Sequence, residues 1–238
     1  AYQDRLREAS LFLVGAALFD KLDGAVARRL GLTEPMPGDE DRPRTLSVGG
    51  LLDDISDAVS FCIAPAWMFW FLVSDLEDPL VQALPYTWAA AAYAIGGVLR
   101  LVYFTLDKHP IPGFFKGMPT PAAALIVVGP MIVLNGSVLQ GSPHQAFWGV
   151  VCFAFMIGTA VLMNLYPVRY LHLGRFMSRH PWFGRGAALM LVSAFTPYYG
   201  YIFLFFMLLY AISPLVTSRI DPTDAARETR TKAAGAHR

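Results

Sequence analysis

The sequence predicts an all-α, polytopic integral membrane helical bundle, and three observations carry that prediction. Of 238 residues, 55% are hydrophobic and 16% charged, with a mean hydropathy of +0.45, a balance found in membrane-embedded rather than soluble chains. The apolar residues fall into runs close to the ~20 residues that a helix needs to cross a bilayer. Lysine and arginine collect in alternate connections between those runs, the asymmetry that orients membrane helices. The net charge of +1 argues against nucleic acid or any other bulk electrostatic partner.

Taken in order, the first helix is predicted from about Leu6 to Leu30, apolar from Leu11 to Phe19 and polar where its carboxylates begin. Leu30 to Val48, rich in Pro, Gly and charge, reads as a loop. The second helix, Val48 to Val73, mirrors the first: carboxylates first, then the apolar run around Trp67, Phe69 and Trp70. Further spans are predicted at Trp88 to Leu106, Ala122 to Leu139 and Phe147 to Tyr166. Arg185 to Val216 is too long for one span, and Pro197 and Gly200 lie at its middle.

Basic residues decide how that last stretch folds. Arg28, Arg29, Arg42 and Arg44 lie in the first connection, Lys108 and Lys116 in the third, and Arg169, Arg175, Arg179 and Arg185 in the fifth; the second and fourth have none. This puts the carboxylate-bearing connection in the cytoplasm. The tail, with Arg219, Arg227, Arg230, Lys232 and Arg238, returns to that side only if two short helices meet near Pro197 to Gly200. The result is seven spans with an external N-terminus, to which Arg5 and Arg7 are a mild objection, softened by Asp4 and Glu8. Residues 1–217 then form one transmembrane domain, and 218–238 a polar, disordered cytoplasmic tail. Cys62 and Cys152 both sit in apolar runs and read as buried thiols. The five histidines show no metal-ligand spacing.

The chemistry concentrates between Asp20 and Asp57. Asp20 and Asp23 are three apart and Asp53 and Asp57 four apart, so each pair projects from one helix face. Two such faces brought together make a four-carboxylate cage. Hard oxygen donors in that number suit one or two divalent ions such as Mg²⁺ or Mn²⁺, which suit a diphosphate substrate. Gly24 and Ala27 leave room beside the cage, and Arg28 offers a planar fork to phosphate oxygens. The competing reading of such pairs is a solvated face, but acids abutting apolar spans cost a few kcal/mol each when unpaired in hydrocarbon. Asp54 points about 100° away from Asp53 on an ideal helix and is equally well read as incidental. Arg100 lies inside an apolar run and is a candidate site residue for that reason, with an ion pair to one of the aspartates as its structural alternative. Lys116 and Arg169 either face the polar pocket or meet anionic headgroups.

The spacing D-x-x-D-G-x-x-A-R, then G-x-x-x-D-x-x-x-D, on Asp20, Asp23, Gly24, Ala27, Arg28, Gly49, Asp53 and Asp57, resembles the signature of the CDP-alcohol phosphotransferases. The roughly twenty residues between Arg28 and Gly49 are more than is usual in that family. Three further segments resemble its phosphatidylserine synthase branch. Ala58 to Ala66 is similar to V-S-F-G-x-A-P-A, with Cys62 in place of the usual Gly. Arg100, Leu101 and Phe104 match R-L-x-x-F, and Phe115 to Ala124 match F-x-G-x-P-x-P-A-A-A.

The resemblance implies phosphatidyl transfer from CDP-diacylglycerol to L-serine with release of CMP, at the cytoplasmic face of the cell membrane, with two Mg²⁺ or Mn²⁺ ions. It implies Asp20, Asp23, Asp53 and Asp57 as metal ligands and Asp57 as general base. Gly24, Ala27, Arg28 and Gly49 would serve the nucleotide and diphosphate, and Arg100, Lys116 and Ser60 the acceptor or the lipid phosphate. It also implies a homodimer among membrane lipids, and an eighth helix upstream of Ala1. Two alternatives stand beside it. One is a relative using choline, inositol phosphate or glycerol phosphate, with Tyr103, Tyr166 and Tyr170 as material for a choline cage. The other is a divalent-cation carrier, since intramembrane acids also mark ion pathways.

Overall fold

The computed structural model describes residues 5–29, 48–107, 114–171 and 181–217, giving the backbone but not the side chains of 20–29, 48–49, 171, 181–184, 187 and 216–217. The described residues are almost wholly helical. Helix α1 is Leu6–Arg29. Helix α2 (Val48–Asp57) runs without a break through a π-turn, Ala58–Ile63, into α3 (Ala64–Ser74). A one-turn helix α4 (Pro79–Gln82) precedes α5 (Tyr86–Leu106). Then come α6 (Thr120–Leu139), α7 (Gln145–Asn164), α8 (Pro181–Val192), α9 (Tyr199–Ala211) and a final turn, α10 (Pro214–Thr217). Among the described residues four helices are long and apolar enough to cross a membrane: Gly50–Ser74, Tyr86–Leu106, Thr120–Leu139 and Gln145–Asn164. With the shorter apolar α9, they bear out the all-α polytopic expectation.

Helix α6 is the axis of the bundle. Its span is 72% buried against 33% for each of the other three, and α1, α3, α5, α7 and α9 all pack on it. A helix apolar all round, as Thr120–Leu139 is, has to be enclosed by other helices or by lipid, and here neighbours enclose it.

The ends of the helices follow from local chemistry. Asp78 caps α4, its Oδ1 accepting from the backbone amides of Leu80 (2.9 Å) and Val81 (3.3 Å), with Pro79 in the first turn. Before α6, Phe114–Lys116 (β1) pairs antiparallel with Arg169–Leu171 (β2), Lys116 opposite Arg169. Gly117 then turns the chain at φ +71°, where a Cβ would lie 2.6 Å from the Met163 carbonyl oxygen. Its amide donates to the Val168 carbonyl, and Pro119 and Pro121 open α6. The F-x-G-x-P-x-P segment is therefore the junction from ribbon to central helix.

The long C-terminal run does divide: α8 ends in a 3₁₀ turn, Ser193–Phe195, and α9 begins at Tyr199. Arg7 secures this break. Its guanidinium donates to the carbonyls of Ala194 and Thr196 and lies 5.7 Å from the centre of the Tyr199 ring, while Ser10 and Tyr199 share a hydroxyl contact at 3.3 Å. A cation on the last carbonyls of a helix is favourable, so the charge that counted against an external N-terminus has a structural use. The expected loop at 30–47 and the tail at 218–238 lie outside the described residues, as do Lys108, Arg175 and Arg179.

Candidate active site

A cavity of about 170 Å³ lies at the carboxylate end of the bundle, lined by Ala16 and Phe19 of α1, Asp53, Ser56 and Asp57 of α2, and Ser60 and Phe61 of the π-turn. Asp53 is exposed, Asp57 half-buried and Phe61 buried at 2% exposure, so the acids sit toward the open side and the ring away from it. The spacing of four that joins Asp53 to Asp57 is one turn of helix, which is why both reach the same space. Ser56 turns its hydroxyl onto the Asp53 carbonyl at 2.9 Å.

The other acid pair lies on the last turns of α1. The side chains of Asp20, Asp23, Ala27 and Arg28 are outside the described residues, as are those of positions 48–49, which include Gly49; for Gly24 and Gly49 only the backbone position is given. On that backbone, positions 16, 19, 20 and 23 fall within an arc of about 100°. Ala16 and Phe19 thus begin a stripe that Asp20 and Asp23 continue by one turn. Sequence reasoning did not include Ala16, Phe19, Ser56 or Phe61 in the site. Their signal was present: the first two stand one turn ahead of the acids, and Ser56 is three residues from Asp53.

Around this cavity the remaining candidates separate. Asp54 accepts a hydrogen bond from Thr105 Oγ1 at 3.3 Å, tying α2 to the end of α5. Lys116 makes an ion pair with Asp107 at 2.8 Å, so its charge is held across the junction between α5 and the ribbon. Arg100 is 3% exposed, its Nε has no hydrogen-bond partner among the described residues, and its guanidinium lies 5.4 Å from the Phe104 ring centre. Tyr166, Tyr103, Asp107 and Tyr210 make its electrostatic surroundings. Tyr103 and Tyr166 stack on each other with ring centres 3.6 Å apart, while Tyr170 packs against Tyr210 at 5.9 Å. Burial pushes the Tyr170 hydroxyl up to about 12, and it stays neutral.

Carboxylates and hydroxyls are hard donors that fit Mg²⁺ or Mn²⁺ and would serve a soft ion poorly. Among the described residues no three His, Cys, Asp or Glu side chains converge.

Fold and site together define an integral membrane protein of several helices with an acid-lined cavity at one end of the bundle. The chain belongs to the CDP-alcohol phosphatidyltransferase family, whose sequence model matches residues 2–165. It is 35% identical over 136 residues to the CDP-diacylglycerol–serine O-phosphatidyltransferase of Mycobacterium leprae, covering 54% of this chain and 39% of that protein. The enzyme of the same name from Methanocaldococcus jannaschii is 34% identical over 123 residues, 52% of this chain and 50% of that one. That of Helicobacter pylori strain J99 is 28% identical over 162 residues, 67% and 60%. The chain thus spans between 39% and 60% of the length of these relatives.

Proposed function

We propose that this chain transfers the phosphatidyl group of CDP-diacylglycerol to the hydroxyl of L-serine and releases CMP. The observation that carries the proposal is the meeting of Asp53 and Asp57 with the Ala16 and Phe19 face of α1 in one cavity, in a family whose similar members bear that activity in their names. Asp20, Asp23, Asp53 and Asp57 would hold one or two Mg²⁺ or Mn²⁺ ions; when bound, these neutralise charge on the diphosphate and on departing CMP. Gly24, Ala27, Arg28 and Gly49 serve the nucleotide and diphosphate. Asp57 takes the proton of the serine hydroxyl as its oxygen attacks the lipid-side phosphorus, and the phosphoanhydride bond to CMP breaks. Ser60, one turn on, is a hydroxyl on the wall of the same space.

Arg100 is the partner assigned to the serine carboxylate. It is a buried guanidinium with an unsatisfied donor, and a planar carboxylate matches its fork. The stacked Tyr103 and Tyr166 weigh against a choline acceptor, because rings in van der Waals contact leave no space between them for a quaternary ammonium. The site would face the cytoplasm in the cell membrane, so the lipid keeps its chains in one leaflet, and the enzyme would act as a homodimer with 218–238 as its tail.

The test is CMP release by the purified protein from CDP-diacylglycerol with serine, choline, inositol phosphate or glycerol phosphate, with and without Mg²⁺ or Mn²⁺. Serine-dependent, metal-dependent CMP is expected. Release with another alcohol alone would reassign the acceptor, and no release with any would overturn the reading.

A further inference from the structure

Pro65 lies about two turns into the apolar run beyond Asp57, and it creates a vacancy. Having no amide hydrogen, it cannot bond the carbonyl four residues earlier, that of Phe61, and its ring crowds that carbonyl. The helix answers by widening: Ala58–Ile63 is a π-turn, and the amide of Ala64 reaches back five residues to Val59. The Phe61 carbonyl, which receives no amide from Pro65, accepts from the hydroxyl of Tyr93, on α5, at 3.0 Å. Tyr93 has 0% and Phe61 2% exposure, so the bond is closed to bulk water. One turn further along α5, a Cβ on Gly97 would lie 2.5 Å from Cys62 Sγ, which brings α5 hard against the same π-turn. A π-turn carries an extra residue and shifts the phase of everything before it by about 100° relative to an unbroken α-helix. Asp53, Asp57 and Ser60, on the cavity wall, lie before or within that shift.

We infer that Tyr93 is a positioning residue: its hydroxyl, by holding the carbonyl to which Pro65 offers no amide, keeps the π-turn and with it the rotation that turns Asp53 and Asp57 toward α1. The inference rests on the reading of those acids as the site of metal-assisted transfer. It predicts that this bond sets turnover and metal affinity, separately from its effect on stability.

The experiment compares the parent, Tyr93→Phe, Pro65→Ala and the double variant by kcat and KM for CMP release, Mn²⁺ affinity by electron paramagnetic resonance, and melting temperature in detergent. In Tyr93→Phe, kcat should fall about ten- to a hundredfold, as for reacting groups displaced by about 1 Å, with serine KM within about twofold, and Mn²⁺ should bind more weakly. The double variant restores an amide at position 65 that can bond Phe61 within an ordinary helix. Its melting temperature should return to within about 2 °C of the parent, while kcat and Mn²⁺ affinity stay low. Recovery of activity along with stability would make Tyr93 merely structural and overturn the inference, as would a Tyr93→Phe enzyme with parental kcat and Mn²⁺ binding. If the parent releases no CMP but its Mn²⁺ affinity falls in Tyr93→Phe and stays low in the double variant, the positioning role stands and the transferase reading fails.

Discussion

At the scale of single residues, the described part of the site separates groups of one sequence type into different duties. Asp53, Asp54 and Asp57 share ten residues of helix, yet Asp53 and Asp57 line the cavity while Asp54 accepts from Thr105, as the 100° step between neighbours requires. Asp57→Asn keeps volume and hydrogen bonding but cannot take a proton. It should lower kcat by about 10²–10⁴ while CDP-diacylglycerol still binds, measured as single-turnover CMP release beside equilibrium binding of the lipid. Normal turnover at saturation with weakened binding would show Asp57 to be a binding group only. Arg100→Ala removes the buried guanidinium over Phe104 and should raise the KM for serine by about tenfold or more, a loss of 1.4 kcal/mol or more of charge-assisted bonding, leaving that for the lipid nearly unchanged. Equal shifts for both substrates would mark Arg100 as a support of the fold.

At the scale of elements, the polar end of the bundle is fastened by pieces that the chain contributes from far apart. The ribbon joins residues 114–116 to 169–171, and Gly117 makes the turn out of it possible. Gly117→Ala puts a Cβ against the Met163 carbonyl at a positive φ, costing about 1–3 kcal/mol for the backbone alone; it should lower the melting temperature in detergent by several degrees. Gly158→Ala, in α7 where nothing lies within 4 Å, should be neutral or stabilising by up to about 1 kcal/mol. Equal effects of the two would remove the structural reading of the F-x-G-x-P-x-P segment. These elements also show what the sequence could and could not disclose. Long apolar runs announced α1, α2 with α3, α5, α6 and α7 because span length and hydropathy are local properties. The acid spacing likewise revealed which residues share a face. The three-residue strands have no periodicity of their own and exist only through each other. Pro65 was visible, but whether its helix breaks or widens depends on a tyrosine 28 residues away. The Lys116–Asp107 pair was not legible, because the two residues meet only when the ribbon folds back.

At the scale of the molecule, polar function gathers at one end and closure at the other. Asp53, Asp57, the Asp54–Thr105 bond, the Lys116–Asp107 pair and the ribbon lie where α2 begins and α5 ends. Arg7, the α8–α9 break and the turns at 75–85 and 140–144 lie at the opposite end, since α1, α3, α5, α6 and α7 each cross from one to the other. If the acid end faces the cytoplasm, as the basic residues indicate, a cysteine introduced at Glu77 or Gln140, both exposed, should react with a membrane-impermeant maleimide in intact cells. One at Pro167, exposed in the turn before β2, should react only after permeabilisation. The native Cys62 and Cys152 are buried and should give little background. Labelling of Pro167→Cys from outside, with Glu77→Cys protected, would invert the protein in the membrane. It would also place the acid cavity away from cytosolic serine and nucleotide, so the proposed reaction would lose its substrates even with every side chain where the fold puts it.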